Sequence, residues 1–265
     1  MKKNSATTIF LIPLIFLSLL FFAVGLAGAG DFKLARAKFD VEEDKLLASD
    51  NKVDAGLWDV GVFNGVDQSC EGLLKSLEKQ ISIKVYPKVP VVDFKDLNSV
   101  CQYPFIFMHA SGTIKMTDEE KNNMKEYLKR GGFIFAEDCV FHKFGGLVVA
   151  QPDNYFSYSR YMGELFFQSF KKMMEKDIIP GKKMIFVPFD HAIYNCFYKF
   201  PKGLPYIQGE PHGGWGYVNE KGKIQVFLSS NDIHCGWSGN VSFPEDRRKE
   251  AIKMAANIII YAFTH

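Results

Sequence analysis

Polar side chains come directly after several predicted strands, and these are the residues of the chain best suited to chemistry. His109 follows an apolar run that ends at Met108, and Glu137 and Asp138 follow a second run that ends at Ala136. Imidazole groups exchange protons near neutral pH, carboxylates accept protons and hydrogen bonds, and both bind divalent cations. The other candidates occupy the same position after later strands: Asp190, His191, Asn231 and Asp232.

This shared position predicts that the candidates meet at one edge of a sheet. In an open parallel sheet the carboxyl ends of the strands line one edge, and ligands bind in the crevice there. Each residue also has a purely structural interpretation, since Asp after a strand commonly caps a helix or turn and His can be satisfied inside a core. For His212, in a glycine-rich segment, and His234, beside Cys235, the simplest expectation is exposure to solvent.

Three kinds of chemistry can be tested against this set. A divalent metal could be held by Asp138, Asp190 and His191, but no H-x-x-x-H or H-E-x-x-H motif places two ligands on one helix face. A nucleophilic triad would need Ser111 or Cys139 on a tight turn, and neither lies in a G-x-S-x-G frame. Phosphate binding lacks its glycine-rich loop with a lysine. No cofactor is predicted, and the sequence leaves open whether the protein is an enzyme.

One βαβ unit, from Tyr103 to Cys139, organises the elements that would position these residues. Its two nearly continuous apolar runs are typical of strands buried on both faces. Between them, Thr117 three residues before Glu120 predicts a capping box at a helix start, and Gly131 predicts the helix end. Because a βαβ unit joins parallel strands, we predict an α/β fold with a mainly parallel sheet.

The remaining pattern adds elements to this unit on both sides. They are a first strand at Trp58–Phe63, a half-exposed strand at Ile81–Val85, a helix at Tyr158–Lys176, strands at Met184–Val187 and Ile224–Leu228, and a final helix that begins at a second capping box, Ser242 with Glu245. Together they predict a single α/β domain.

Composition excludes several classes of protein. With 265 residues and 47% hydrophobic content, the chain can bury a full core. A net charge of +2 and the lack of a recognition motif give no reason to expect nucleic acid as a partner. Five cysteines without regular spacing argue against a disulfide scaffold or a zinc knuckle and favour buried thiols.

The N-terminus predicts export. Lys2 and Lys3 precede an apolar run, and Ala27-Gly28-Ala29 has the small residues of a signal-peptidase site. We interpret residues 1–29 as a signal peptide or an uncleaved anchor, residues 30–56 as a charged spacer and residues 57–265 as the folded domain. The domain is then expected in the periplasm or outside the cell. An uncleaved anchor in the inner membrane would be its membrane contact.

Several motifs, in order, resemble a bacterial family. They are Tyr103-Pro104-Phe105, the helix start Thr117-Asp118-Glu119-Glu120, Arg130-Gly131-Gly132-Phe133, Glu137-Asp138, Asp190-His191, Asn231-Asp232 with Gly236-Trp237, and the helix from Ala251 to Thr264. Together they are similar to the bacterial domain of unknown function 4159, over Trp58 to Thr264. The resemblance implies a flavodoxin-like three-layer sandwich related to the class I glutamine amidotransferases.

The resemblance does not imply an activity. Amidotransferases of that class carry a catalytic cysteine in the turn after the strand equivalent to Phe133–Ala136, whereas this turn reads Glu137-Asp138-Cys139 without flanking glycines. We therefore expect no glutamine hydrolysis and predict binding of a small molecule, a sugar or an envelope protein at the crevice. The alternatives are a hydrolase, metal-dependent or with a carboxylate base beside His191, and an envelope scaffold that uses the aromatic segment Tyr194–Phe200 and Trp215.

Overall fold

The computed structural model describes residues 31–42, 68–81, 83–110, 112–138, 165–207, 213–237 and 243–265. Its strands are β1 (Leu34–Lys38), β2 (Asp40–Glu42), β3 (Val91–Asp93), β4 (Phe105–Ala110), β5 (Thr113–Lys115), β6 (Phe133–Asp138), β7 (Ile185–Phe186), β8 (Trp215–Val218) and β9 (Ile224–Ser229). Its helices are α1 (Gln68–Ile81), α2 (Leu97–Val100), α3 (Asp118–Lys129), α4 (Leu165–Met173), α5 (Ile233–Trp237) and α6 (Glu245–Thr264). A π-helical turn, Met174–Ile178, continues α4, and a 3-10 turn spans Ala192–Tyr194.

The main sheet has seven strands in the order β3-β1-β4-β6-β9-β8-β7. The first five are parallel, and β8 and β7 are added antiparallel at one edge. The order of the five parallel strands is that of flavodoxin-like sheets. The predicted α/β fold with a mainly parallel sheet is confirmed, while its relation to amidotransferases stays a prediction.

Helices cover both faces of this sheet and give it two cores. Successive residues of a strand point to opposite faces, so Phe133 and Phe135 pack with α1, α5 and α6 on what we call the first face. Ile134 and Ala136 pack with α3 and α4 on the second face. The layers are therefore helix, sheet and helix.

The predicted βαβ unit is confirmed as β4, α3 and β6. All six residues of each strand are buried, as expected of central strands. Thr117 accepts a hydrogen bond from Glu120 N, and Glu120 accepts one from Thr117 N, which completes the capping box. Gly131 has a φ of 94°, the left-handed conformation that ends the helix.

The expected spacer is wrong for Asp31 to Glu42, because Leu34–Lys38 forms an internal strand of the main sheet. Residue Arg36 of β1 lies between Val91 of β3 and Phe107 of β4 and is only 5% exposed. Basic residues interrupt the apolar ones in this segment, so their charge hid the strand in the sequence. The folded domain therefore begins well before residue 57, and residues 43–56 lie outside the described ranges.

Other sequence predictions are corrected by the packing. Instead of starting a strand, Ile81 ends α1, and Val85 forms a single parallel bridge with Phe32. The strand predicted at Met184–Val187 contains only Ile185–Phe186 and pairs antiparallel with β8. The predicted elements at Trp58–Phe63, residues 158–164 and Ser242 lie outside the described residues. Within the described ranges, no helix is both long enough and apolar enough to span a bilayer.

Candidate functional site

A buried polar row lies at the carboxyl end of the parallel strands, on the first face of the sheet. The strand register places His109 beside Glu137 and Glu137 beside Ser229. The row comes two residues after the stacked rings of Phe107 and Phe135 on the same face. His109 is 1% exposed and Glu137 and Ser229 are 0% exposed, so the aromatic core gives way to polar groups without contact with solvent.

Glu137 binds the start of α5 through its carboxylate. Its Oε1 accepts a hydrogen bond from Ile233 N at 2.9 Å, and its Oε2 accepts one from His234 N at 2.8 Å. Backbone N–H groups in the first turn of a helix have no partner within their own helix. A carboxylate buried in this way is stabilised by charge-assisted hydrogen bonds.

Asp138 binds the start of a helix on the second face in the same way. Adjacent strand residues point to opposite faces, and Asp138 Oδ2 accepts a hydrogen bond from Phe167 N, in the first turn of α4, at 2.8 Å. The acidic pair predicted as ligand-binding residues thus fixes one helix on each side of the sheet. For Asp138 the structure supports the capping interpretation.

His234 and Cys235 extend the buried row into α5. Nδ1 of His234 lies 2.9 Å from Glu137 Oε2 and 3.0 Å from Asp232 Oδ1, and Nε2 lies 3.7 Å from the Sγ of Cys235. The ring of His109 stacks on that of His234 at a centroid distance of 4.6 Å. Asp232, His234 and Cys235 are each 0% exposed, so the expectation that His234 is exposed is wrong.

The hydrogen bonds assign the tautomer of His234. Since the carboxylate of Glu137 accepts hydrogen bonds, Nδ1 carries the proton that it receives. In the neutral ring Nε2 is therefore the unprotonated nitrogen, and it lies 3.7 Å from the Sγ of Cys235. The sequence placed His234 with Asn231 and Asp232 in the polar segment after β9 but gave exposure as its simplest role, and it did not single out Cys235 as a site residue.

Asp190 and His191 do not join this row. Asp190 is exposed, and the ring of His191 lies 5.3 Å from that of Tyr261. The Tyr261 hydroxyl accepts a hydrogen bond from Ile224 N, at the amino end of β9, so His191 lies toward the opposite edge of the sheet. Burial first, and the neighbouring His265 second, lower the pKa of His191.

The predicted convergence therefore holds for part of the set. His109, Glu137 and Asp232 meet on the first face, and Asn231 lies beside them, donating a hydrogen bond from Nδ2 to Pro205 O. The proposed metal ligands Asp138, Asp190 and His191 are not brought together. A different group, Asp232, His234 and Cys235, has donor atoms within 4.8 Å of one another.

A cleft of about 600 Å³ lies on the second face, where β2 and β5 pair beyond the ends of β1 and β4. Ile114 and Met173 form its apolar floor. The polar residues that line it are Asp40, Thr113, Lys115, Thr117, Glu120, Lys121, Ser169, Lys172, Lys176 and Asp177. It is open to solvent, whereas the row on the first face is closed.

The aromatic residues considered for a contact surface are divided between core and surface. Tyr194 is buried, its hydroxyl accepts a hydrogen bond from Gly214 N, and its ring packs against Phe227. Phe197 is 50% exposed, whereas Trp215 is half-buried beside Phe186. Among the four described cysteines no disulfide forms, and Cys139 lies outside the described residues.

Comparison with known proteins finds one family whose model matches most of the chain. A family model with the description "Domain of unknown function (DUF4159)" matches residues 53–263. A comparison with curated proteins finds no match.

Proposed function

The chain belongs to the DUF4159 family, and from this premise we propose that its domain binds a small acidic ligand in the cleft on the second face. The description of the family names no activity, and the geometry of the cleft supports the proposal. The observation that carries it is an open concavity at the carboxyl edge of a parallel sheet, where ligands of such folds bind.

Two lysines of the cleft are available to a ligand. Lys172 and Lys176 are exposed, lie four residues apart and make no ion pair within the part of the chain that the structure describes. Two of the three acidic residues that line the cleft are already engaged, and the third, Asp40, lies opposite Lys115 in the register of β2 and β5. Lys121 lies 3.1 Å from Asp177, and Glu120 holds the capping box of α3. An acidic group entering the cleft would thus meet two ammonium groups that no carboxylate of the described residues neutralises.

The dimensions of the cleft suggest the size of the ligand. A volume of about 600 Å³ falls in the range of roughly 300–1,000 Å³ typical of small-molecule sites. The apolar floor at Ile114 and Met173 can cover one face of a sugar or similar ring. Thr113 supplies a hydroxyl at its side, whereas the hydroxyl of Ser169 donates to Leu165 O and accepts from Ile114 N. A sugar acid or sugar phosphate fits this combination.

Thermal unfolding with a ligand panel tests the proposal. The full-length protein would be melted with glucose, glucuronate, glucose 6-phosphate and inorganic phosphate at increasing concentrations. A ligand present at about 100 times its Kd adds roughly 2.7 kcal/mol. For a domain of this size that is a Tm increase of about 5–10 °C. We expect the acidic sugars to raise Tm and glucose to have a smaller effect.

Paired lysine variants give the control. Replacing both Lys172 and Lys176 with Ala should remove the Tm increase. Lys75 and Lys79 are also exposed and four residues apart, but they lie on α1, on the other side of the sheet, and their replacement by Ala should leave the increase intact. An equal response of the two double variants, or no response of the wild-type protein to any acidic compound, would reject this binding site.

We further propose that the domain is exported and does not hydrolyse glutamine. Export is supported by the signal-like residues 1–29, and a mature N-terminus close to Gly30 on the cellular protein would test it. The lack of glutaminase activity is supported by Glu137 and Asp138, the two residues directly before Cys139. Their carboxylates accept hydrogen bonds from the first turns of α5 and α4. Ammonia release from glutamine above background would contradict it.

A further inference from the structure

We propose that Asp232, His234 and Cys235 form a metal site for zinc or a similar divalent ion, with Glu137 as the residue that positions His234. One donor atom from each of the three ligands lies within 4.8 Å of the others, and all three side chains are fully buried. Oδ1 of Asp232 lies 3.0 Å from Nδ1 of His234, so Asp232 would bind the ion through its other oxygen or after a change of rotamer. This site lies on the first face, so its test is independent of the test of the ligand cleft on the second face.

The separation of the nitrogen and sulfur atoms matches a tetrahedral metal. Zinc binds sulfur at about 2.3 Å and nitrogen at about 2.0–2.1 Å, so two such ligands at a tetrahedral angle lie roughly 3.6 Å apart. Nε2 of His234 and Sγ of Cys235 are 3.7 Å apart. An ion can therefore take the place of the thiol proton between them with little movement of either side chain.

Glu137 orients the histidine for this task. Metal-bound histidines usually donate their other ring N–H to a carboxylate, which fixes the tautomer and makes the ligating nitrogen more basic. Here Nδ1 of His234 lies 2.9 Å from Glu137 Oε2, and two backbone N–H groups hold that carboxylate in place. Nε2 of His234 is thereby directed toward Cys235.

The donor set and the charges favour zinc over magnesium or calcium. Thiolate and imidazole are ligands for zinc and its neighbours, whereas magnesium and calcium require oxygen. When the ion binds, the Cys235 thiol loses its proton to solvent. The charges of the thiolate and of the Asp232 carboxylate then equal the charge of the divalent ion. The ion and its ligands are then neutral together, and the buried charge of Glu137 is stabilised by the N–H groups of Ile233 and His234.

Three protein ligands leave one position of a tetrahedral ion for another ligand. Since the ligands are buried, we expect the ion to enter during folding and to exchange slowly with chelators in the native protein.

Metal analysis of the full-length protein tests the inference. Protein purified without chelator from cells supplied with zinc should contain about one zinc ion per chain by mass spectrometry. Cobalt added in place of zinc should give a thiolate-to-cobalt charge-transfer absorption. Cys235→Ser should abolish this absorption and weaken zinc binding by at least about tenfold, the smallest loss typical even of an outer residue.

A second cysteine gives the matched control. Cys196 is half-buried, and its thiol contacts the carbonyl of Asn257, outside the cluster, so Cys196→Ser should keep both zinc and the cobalt absorption. If Cys235→Ser does not fold, replacing Cys70, Cys101, Cys139 and Cys196 one at a time assigns the absorption by elimination. The proposal is overturned if wild-type protein neither retains zinc nor binds added zinc or cobalt. It is also overturned if Cys235→Ser binds as tightly as wild type.

Discussion

Replacing Glu137 with Gln tests whether the buried carboxylate holds the first face together. Glutamine has almost the same shape but removes the charge and one of the two acceptor oxygens. In the native protein those oxygens accept from Ile233 N at 2.9 Å and His234 N at 2.8 Å, with Nδ1 of His234 at 2.9 Å as well. The side chain is 0% exposed, so water cannot replace a lost acceptor.

The size of the effect follows from these three contacts. The NH₂ group of the introduced amide would have to face an N–H group, and a buried donor without an acceptor costs about 1–3 kcal/mol. The hydrogen bond between His234 and a charged acceptor contributes about 1.5–3 kcal/mol more. We therefore expect Glu137→Gln to lower the free energy of unfolding by about 4 kcal/mol, and Tm by about 8–16 °C.

Urea unfolding followed by circular dichroism measures this loss. Asp138→Asn is the matched control, because it is the adjacent isosteric change and the Asn oxygen can still accept from Phe167 N. We expect it to cost about 1 kcal/mol. If Glu137→Gln lies within about 1 kcal/mol of wild type, then Glu137 does not act as an ionised acceptor and the assigned tautomer of His234 is wrong.

Two further perturbations test local features of the fold. The pKa of His191 is lowered from 6.5, and its Nδ1 accepts from Ile193 N, so protonation favours the unfolded chain. The free energy of unfolding should therefore fall as the pH drops below about 6.5. In His191→Asn the difference between the urea midpoints at pH 8 and pH 5 should be smaller than in the wild-type protein. An unchanged difference would contradict this assignment. A Cβ on Gly132 would overlap the buried Tyr127 ring, whereas Gly131 has open space but a positive φ. Gly132→Ala should therefore lower the free energy of unfolding, measured in urea, by about 3 kcal/mol, and Gly131→Ala should lower it by about 1–2 kcal/mol. The reverse order would show that the Tyr127 ring can move aside at little cost.

Local chemistry was sufficient to predict the βαβ unit. The capping box of Thr117 and Glu120, the helix end at Gly131 and the two apolar runs act over a few residues, so the sequence contains the complete signal. Motif order was also sufficient to identify the family, which matches residues 53–263. Charge misled the prediction at β1, since Arg36 and its neighbours suggested a spacer while the strand lies inside the sheet, between β3 and β4.

The site was predicted in part. Polar residues at the carboxyl ends of β4 and β6 and directly after β9 do meet, because these three strands are parallel neighbours. Asp190 and His191 also follow a strand, but β7 joins the sheet through β8 at the antiparallel edge, and the chain then turns back toward Tyr261. Periodicity indicates that a segment is a strand without indicating its neighbours.

The sequence by itself determined the α/β class, the βαβ unit and the kinds of polar group that follow the strands, because short-range patterns encode each of them. The tertiary structure decided which of these groups share a face. Adjacent residues Glu137 and Asp138 point to opposite layers, and only the packing of α5 onto β6 brings His234 and Cys235 into the buried row. Contacts between residues about a hundred positions apart depend on the order of strands and the placement of helices, which the local pattern does not specify.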